Sequence, residues 1–448
     1  MVNSQNSETI IKNGRIVTAT DVYTADIGIR DGKIIEIGDL KGAEKIDATG
    51  MLVFPGGVDV HTHLDMPFMG TASSDDFETG TIAAAFGGTT SIVDFVIPKI
   101  GESLGHALRI WDEKAKKACI DYGFHMAMTD INDSTIEEMG DMVKRGIPSF
   151  KLFLAYKGTF MSDDYQILLA LERARELHAL IMVHAENGDM IDFLTRRLLA
   201  QGKTEARYHP YAHPAIAEEE ATKRAIALAE LAKTSIYVVH LTFAGALNII
   251  KETRARGLPV YSETCPQYLL LDDNRYNNPD AAKYVMSPPL RGNKNLDALW
   301  AGLSTGDIQT VATDHCPFFL SQKDNKDFDK IPNGIPGIET RIPLMYSAMK
   351  GSLMRFVEVC STAPAKLMGM YPRKGTIAPG SDADLVIFDP EKEVILSHKN
   401  LHQRTDYTPF EGFKVTGYPV KVIVNGELLI DEGEFVGKRG KGNFLRRD

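Results

Sequence analysis

The sequence predicts an α/β protein: a closed (β/α)8 TIM barrel carrying a small β-sandwich assembled from both ends of the chain. Three observations lead there. Eight β-branched runs alternate with helix-forming stretches through the middle of the chain, polar residues able to ligate metals end four of those runs, and both termini consist of short strands joined by turn dipeptides.

Residues 9–53 alternate in the manner of short strands, punctuated by Asn13-Gly14 and Asp31-Gly32, dipeptides favoured in tight hairpins. The far end repeats the pattern, with strand candidates at 384–388 and 422–424 and the latter passing through Asn425-Gly426 into 428–430. Neither end alone has strands enough for a stable sheet, so the two are expected to combine. Residues 1–54 and 374–448 would form the sandwich and 55–373 the barrel. The eight central runs are 52–53 with 58–60, then 89–95, 122–127, 149–154, 180–184, 235–241, 259–262 and 308–313. Among the spacers, 170–177 and 218–232 are rich in Glu, Ala and Leu at helical spacing.

At 448 residues the chain exceeds one compact core, which fits a large domain with a companion. A net charge of -10 disfavours nucleic acid and anionic membranes as partners and leaves a small molecule as the expected one. Residues 1–8 are polar and lack the layout of a secretory signal, and no apolar run approaches the ~20 residues needed to span a bilayer. Cys119, Cys265, Cys316 and Cys360 are scattered with no C-x-x-C pair, as expected of reduced thiols in a cytoplasmic protein.

A TIM barrel builds its active site at the C-terminal ends of its strands, so the polar residues found there are the candidates. His61 and His63 end the first run, Lys151 lies on the fourth, His184 ends the fifth, His240 closes the sixth and Asp314 follows the eighth. The H-x-H spacing puts both imidazoles on one strand face, because side chains alternate with period two. A lone strand histidine is ordinarily a core group; this joint placement points to a site. Imidazole and carboxylate suit zinc, manganese, iron or cobalt, and two such ions ~3.5–4 Å apart form a hydrolytic clamp. Lys151 does not fit that set unmodified, since an ammonium has donors only.

The segments PGGVDVHTH (55–63), FKLF (150–153), MVHAE (182–186) and ATDHC (312–316) resemble the amidohydrolase superfamily. Within it, ETCPQY (263–268), SPPLR (287–291) and PNGIPGIE (332–339) resemble dihydropyrimidinases and D-hydantoinases, and the resemblance covers nearly the whole chain. It implies that Lys151 is carbamylated and bridges two divalent ions, with His61, His63 and Asp314 on one and His184 and His240 on the other. It further implies that water activated by the ions opens a ring amide, Asp314 moving the proton to the leaving nitrogen. Tyr156 resembles the family's oxyanion donor, and Ser287 and Asn333 match positions whose main-chain groups clamp the cyclic imide. A homotetramer is also implied.

Met66, Phe68, Phe153 and Phe160 are candidates for an apolar wall around the ring substituent. His106, His125, His178, His209, His213, His398 and His402 fall away from strand ends and are read as non-catalytic, and His315 as a support for the ligands. Three alternatives stay open. A dihydroorotase has the same ligands but follows H-x-H with leucine and arginine, where this chain has Leu64 and Asp65, a carboxylate that would repel an anionic ring. An allantoinase lacks the tyrosine of KLFLAY (151–156), and a non-enzymatic dihydropyrimidinase-related scaffold would have lost ligands that are all present here. The basic tail, 438–447, is expected either to reach a neighbouring subunit or to trail in solvent.

Overall fold

The computed structural model describes residues 7–42, 44–349 and 351–447. Eight parallel strands follow one another around the centre in chain order: Gly57–Thr62, Thr89–Val96, Asp121–Ala127, Ser149–Phe153, Leu180–His184, Ile236–Val238, Val260–Thr264 and Thr310–Val311. Residues 52–53, expected to open the first of them, belong instead to Leu52–Pro55, which pairs with Leu385–Ile395 in a flanking sheet. Pro55-Gly56 is where the chain changes sheets. A Cβ at Gly56 would lie 2.0 Å from the Thr90 hydroxyl, so only glycine permits the step.

The alternation is visible in the packing. Phe124, Phe150, Leu152, Ile181, Val183, Ile236 and Val238 point outward into the main core, where they meet helical Ala and Leu side chains. Their alternates Val93, Phe95, Met182, Tyr237 and Val239 lie in a separate cluster inside the barrel. The predicted helical spacers fall within Asp164–Leu177 and Ala215–Ala232; on the latter, Ala217, Ala221, Ala225, Ala229 and Ala232 form the buried stripe. The eighth strand is too short for a full ladder with the first, and side chains complete the closure. Buried Asp59 accepts from the Thr313 N–H at 3.1 Å and the Thr313 hydroxyl at 2.6 Å, while His63 N–H donates to the His315 carbonyl at 2.9 Å. Buried Arg341 enters the same seam and donates to the carbonyls of Val58 and Val311.

The two ends combine as expected. A four-stranded sheet holds Lys33–Gly38, Asp26–Arg30, Thr9–Lys12 and Glu44–Asp47; a seven-stranded sheet joins Leu52–Pro55, Arg15–Val17 and Val22–Thr24 to the edge of the C-terminal strands through Leu385–Ile395. Ile11, Ile27, Ile29 and Ile34 close against Leu385, Ile387 and Ile423 between the sheets, whereas Phe54 and Phe388 join the barrel's core. Asp31-Gly32 (φ 50° and 72°) and Asn425-Gly426 (φ 49° and 79°) are hairpin turns with both residues left-handed. Asn13-Gly14 is not: the strands on either side of it lie in different sheets. Gly14 serves close approach instead, since a Cβ there would come within 2.5 Å of the Val53 side chain.

The last part of the tail, 443–447, folds back onto its own barrel, while 438–441 stays exposed. Tyr122 N–H donates to the Asn443 carbonyl at 3.0 Å, Phe444 packs on Tyr122 and Phe124, and Arg447 is buried with its guanidinium 2.9 Å from the Ser149 hydroxyl. Aromatic packing and ladder-like hydrogen bonds dock it on its own barrel, at the N-terminal ends of the strands. No helix among the described residues is long and apolar enough to cross a membrane.

Candidate active site

At the opposite end of the barrel the sequence-predicted ligands meet. His61 Nε2 and His63 Nε2 each lie 3.1 Å from Asp314 Oδ1, and the three groups together could hold a metal ion. Lys151 Nζ is 2.8 Å from His61 Nε2, and His184 Nδ1 faces His240 Nε2 at 2.9 Å. The rings of His61 and His240 are 5.5 Å apart, so the two groups of ligands share one mouth.

Partners behind the ligands set which nitrogen is free. His61 Nδ1 is hydrogen-bonded to Glu263, whose other oxygen accepts from the Tyr237 hydroxyl at 2.8 Å. The His61 Nε2 lone pair is thereby turned toward the Asp314 carboxylate, an arrangement of two acceptors that a cation would satisfy. His184 Nε2 lies 3.0 Å from Glu186, which leaves Nδ1 facing His240; the far side of Glu186 holds His213 Nδ1 at 3.0 Å. His63 Nδ1 and His240 Nδ1 are buried without hydrogen-bond partners among the described residues. Burial pushes all four imidazoles below their ordinary value, His61 and His240 furthest, and neutral imidazole is the form that ligates. Burial alone would raise the Asp314 carboxyl, but the facing His61 and His63 rings hold it below the usual carboxylate range. The donor set therefore fits divalent cations.

Backbone strain marks the same place. Tyr156, His240 and Asp314 all have positive φ, at 64°, 38° and 52°, conformations that non-glycine residues adopt at a cost and that cluster at functional sites. Asn333 Nδ2 donates to Ser287 Oγ at 2.9 Å, and both residues line the same pocket as the Tyr156 phenol. Tyr156, Ser287 and Asn333 thus form one polar wall of the pocket. Met66, Phe68, Phe153 and Phe160 line it as well, joined by Ile97 and Ile335.

His125, read as non-catalytic, is buried below the site with Nε2 3.1 Å from the Val60 carbonyl. His315 holds Asp75 through Nε2 at 3.1 Å and accepts from the Gly337 N–H through Nδ1. Asp65 departs from expectation. Its carboxylate faces Lys114 at 3.7 Å, with the side chain 40% exposed, and it does not line the pocket. Sequence reasoning gave no role to Glu263 or Glu186, although both lie in the quoted motifs as acidic residues at or just beyond strand ends.

Glu263→Gln is expected to weaken metal affinity about 10–100-fold, because it loses the carboxylate that orients His61. Chelator competition measures this, and an unchanged affinity would remove Glu263 from that role.

A profile of the amidohydrolase family matches residues 52–429. The chain is 52% identical to the D-hydantoinase of Geobacillus stearothermophilus, over 98% of this chain and 96% of that one. It is 47% identical to the D-hydantoinase of Streptomyces coelicolor over 98% of each. The solved dihydropyrimidinase of Brevibacillus agri superposes with a TM-score of 0.97 at 51% identity, covering 98% of both chains. An L-hydantoinase from Arthrobacter aurescens is more distant, with a TM-score of 0.90 at 30% identity over 98% of this chain and 100% of that one. With the profile spanning most of the chain and these relatives matching end to end, the chain belongs to the amidohydrolase family.

Proposed function

We propose that the chain is a metal-dependent cyclic-amide hydrolase of the D-hydantoinase/dihydropyrimidinase kind, opening dihydropyrimidines or 5-substituted hydantoins to N-carbamoyl amino acids. The observation that carries this reading is the meeting of His61, His63 and Asp314 with Lys151 and the His184–His240 pair at the mouth of one pocket. Two divalent ions, zinc, manganese or cobalt, would be held there and would supply Lewis-acid polarisation and an activated water near neutral pH.

The protein's own residues do the rest. Burial draws the Lys151 amine down to about 8, so a usable fraction is neutral and able to add carbon dioxide, losing a proton and gaining a carboxylate. Asp314, ionised and facing both histidines, takes the proton from the attacking water and delivers it to the leaving ring nitrogen. Burial keeps the Tyr156 phenol protonated, and it donates to the carbonyl oxygen as negative charge develops there. The Ser287 and Asn333 loops hold the imide, and the apolar wall receives the ring substituent.

The reading extends to a cytosolic homotetramer. All four cysteines are free and buried, which suits a reducing compartment. Light scattering on the purified protein tests the assembly. The function is tested by metal analysis with rates on dihydrouracil, hydantoin, phenylhydantoin, allantoin and dihydroorotate, with chiral analysis of the products. About two metal equivalents and ring opening of the first three are expected; no metal and no turnover would return the scaffold reading.

Selectivity against dihydroorotate has a different source from Asp65. No arginine lines the pocket among the described residues, and Lys151, once it carries the carboxylate, offers no positive charge. A substrate carboxylate left unpaired there costs on the order of 3 kcal/mol, so kcat/KM for dihydrouracil should exceed that for dihydroorotate about a hundredfold or more. Comparable values would favour the dihydroorotase alternative.

A further inference from the structure

Lys323 ends the short helix Leu320–Lys323, is fully buried, and makes no ion pair with a carboxylate among the described residues. The mechanism above does not use it. Its Nζ donates to two main-chain carbonyls, those of Val285 at 2.9 Å and Pro332 at 2.8 Å. Val285 lies two residues before Ser287 and Pro332 one residue before Asn333, so a single amine nitrogen joins the two loops of the pocket's polar wall.

The loops are tied to each other as well. Gly334 N–H donates to the Val285 carbonyl at 3.1 Å and Asn333 Nδ2 to Ser287 Oγ at 2.9 Å. Gly334 itself is pressed so closely on Cys316 that a Cβ would sit 2.4 Å from that carbonyl oxygen, which leaves the loop little room to drift. The amine also faces the Phe318 ring at 5.9 Å. Burying a cation without a counter-charge is costly, and burial draws this amine down to about 7. In either protonation state it provides two N–H donors radiating from one atom to loops 47 residues apart (332 minus 285).

We propose that Lys323 is a positioning residue for the substrate: its Nζ, bonded to both, holds the Ser287 and Asn333 loops at the separation that clamps the ring. It thereby sets binding more than chemistry. The inference rests on the proposed reading of the pocket as a cyclic-amide site.

Lys323→Met keeps the length and apolar stem of the side chain and removes charge and donors. In the substrate-free protein, amide hydrogen exchange should quicken in peptides covering 285–290 and 332–337, with metal content unchanged. With hydantoin and dihydrouracil, KM should rise about tenfold, the effect of one to two lost hydrogen bonds, while kcat stays within about threefold of wild type. Lys323→Gln, which retains a shorter donor, should fall between the two, and it carries the same comparison if the Met variant does not fold. Wild-type KM and wild-type exchange in a folded, metal-loaded variant would overturn the proposal, as would a loss confined to kcat. Should the wild-type protein open no cyclic amide, the proposed function fails, and the exchange measurement alone decides whether Lys323 staples the loops.

Discussion

Lys151→Ala is expected to lose most bound metal and to lower kcat/KM by more than about 10³-fold, equivalent to over ~4 kcal/mol of transition-state stabilisation. The reason lies in charge. Lys151 is buried between the His61 side and the His184–His240 side of the mouth, with Nζ 2.8 Å from His61 Nε2 and 4.3 Å from the Phe95 ring centroid. Without a carboxylate built on that amine, two cations would share four neutral imidazoles and the single charge of Asp314. Their mutual repulsion would then go largely uncompensated in a site walled by Phe95 and Phe153. Short carboxylates supplied in solution should restore part of the activity by filling the gap. Retention of both metals and wild-type turnover in the purified variant would end the bridging role.

Tyr156→Phe separates substrate polarisation from metal binding. The phenol ring lies beside His184, with ring centroids 5.1 Å apart, and lines the pocket with Ser287, so removing the hydroxyl touches the substrate side of the pocket and none of the six proposed ligands is altered. As the amide carbonyl becomes tetrahedral its oxygen gains charge, and a donor aimed at it strengthens in the transition state. Loss of one such donor should lower kcat about 10²–10³-fold, or roughly 2.7–4 kcal/mol, with metal content unchanged. KM should move much less. Full metal occupancy with kcat within about threefold of wild type would eliminate Tyr156 as the oxyanion donor.

Local sequence located the barrel's strands apart from 52–53, the pairing of His61 with His63 on one face, and the hairpins at Asp31-Gly32 and Asn425-Gly426. These are local properties: alternation follows from extended φ/ψ, and a left-handed turn needs Asn, Asp or Gly where it occurs. The candidate ligands were legible because strand ends of a parallel barrel converge, whatever the details of packing. Tertiary structure alone decided the rest. Glu263 meets His61 across 202 residues of chain, Asp59 reaches Thr313 across 254, and the tail folds back to cover the barrel's other end. Asp65 was misjudged for a related reason, because at φ 50° the backbone turns its carboxylate toward Lys114 and away from the pocket. Strand register, loop path and the sign of one φ choose which polar groups face each other, and each is set by the packing of distant segments, which no window of sequence contains.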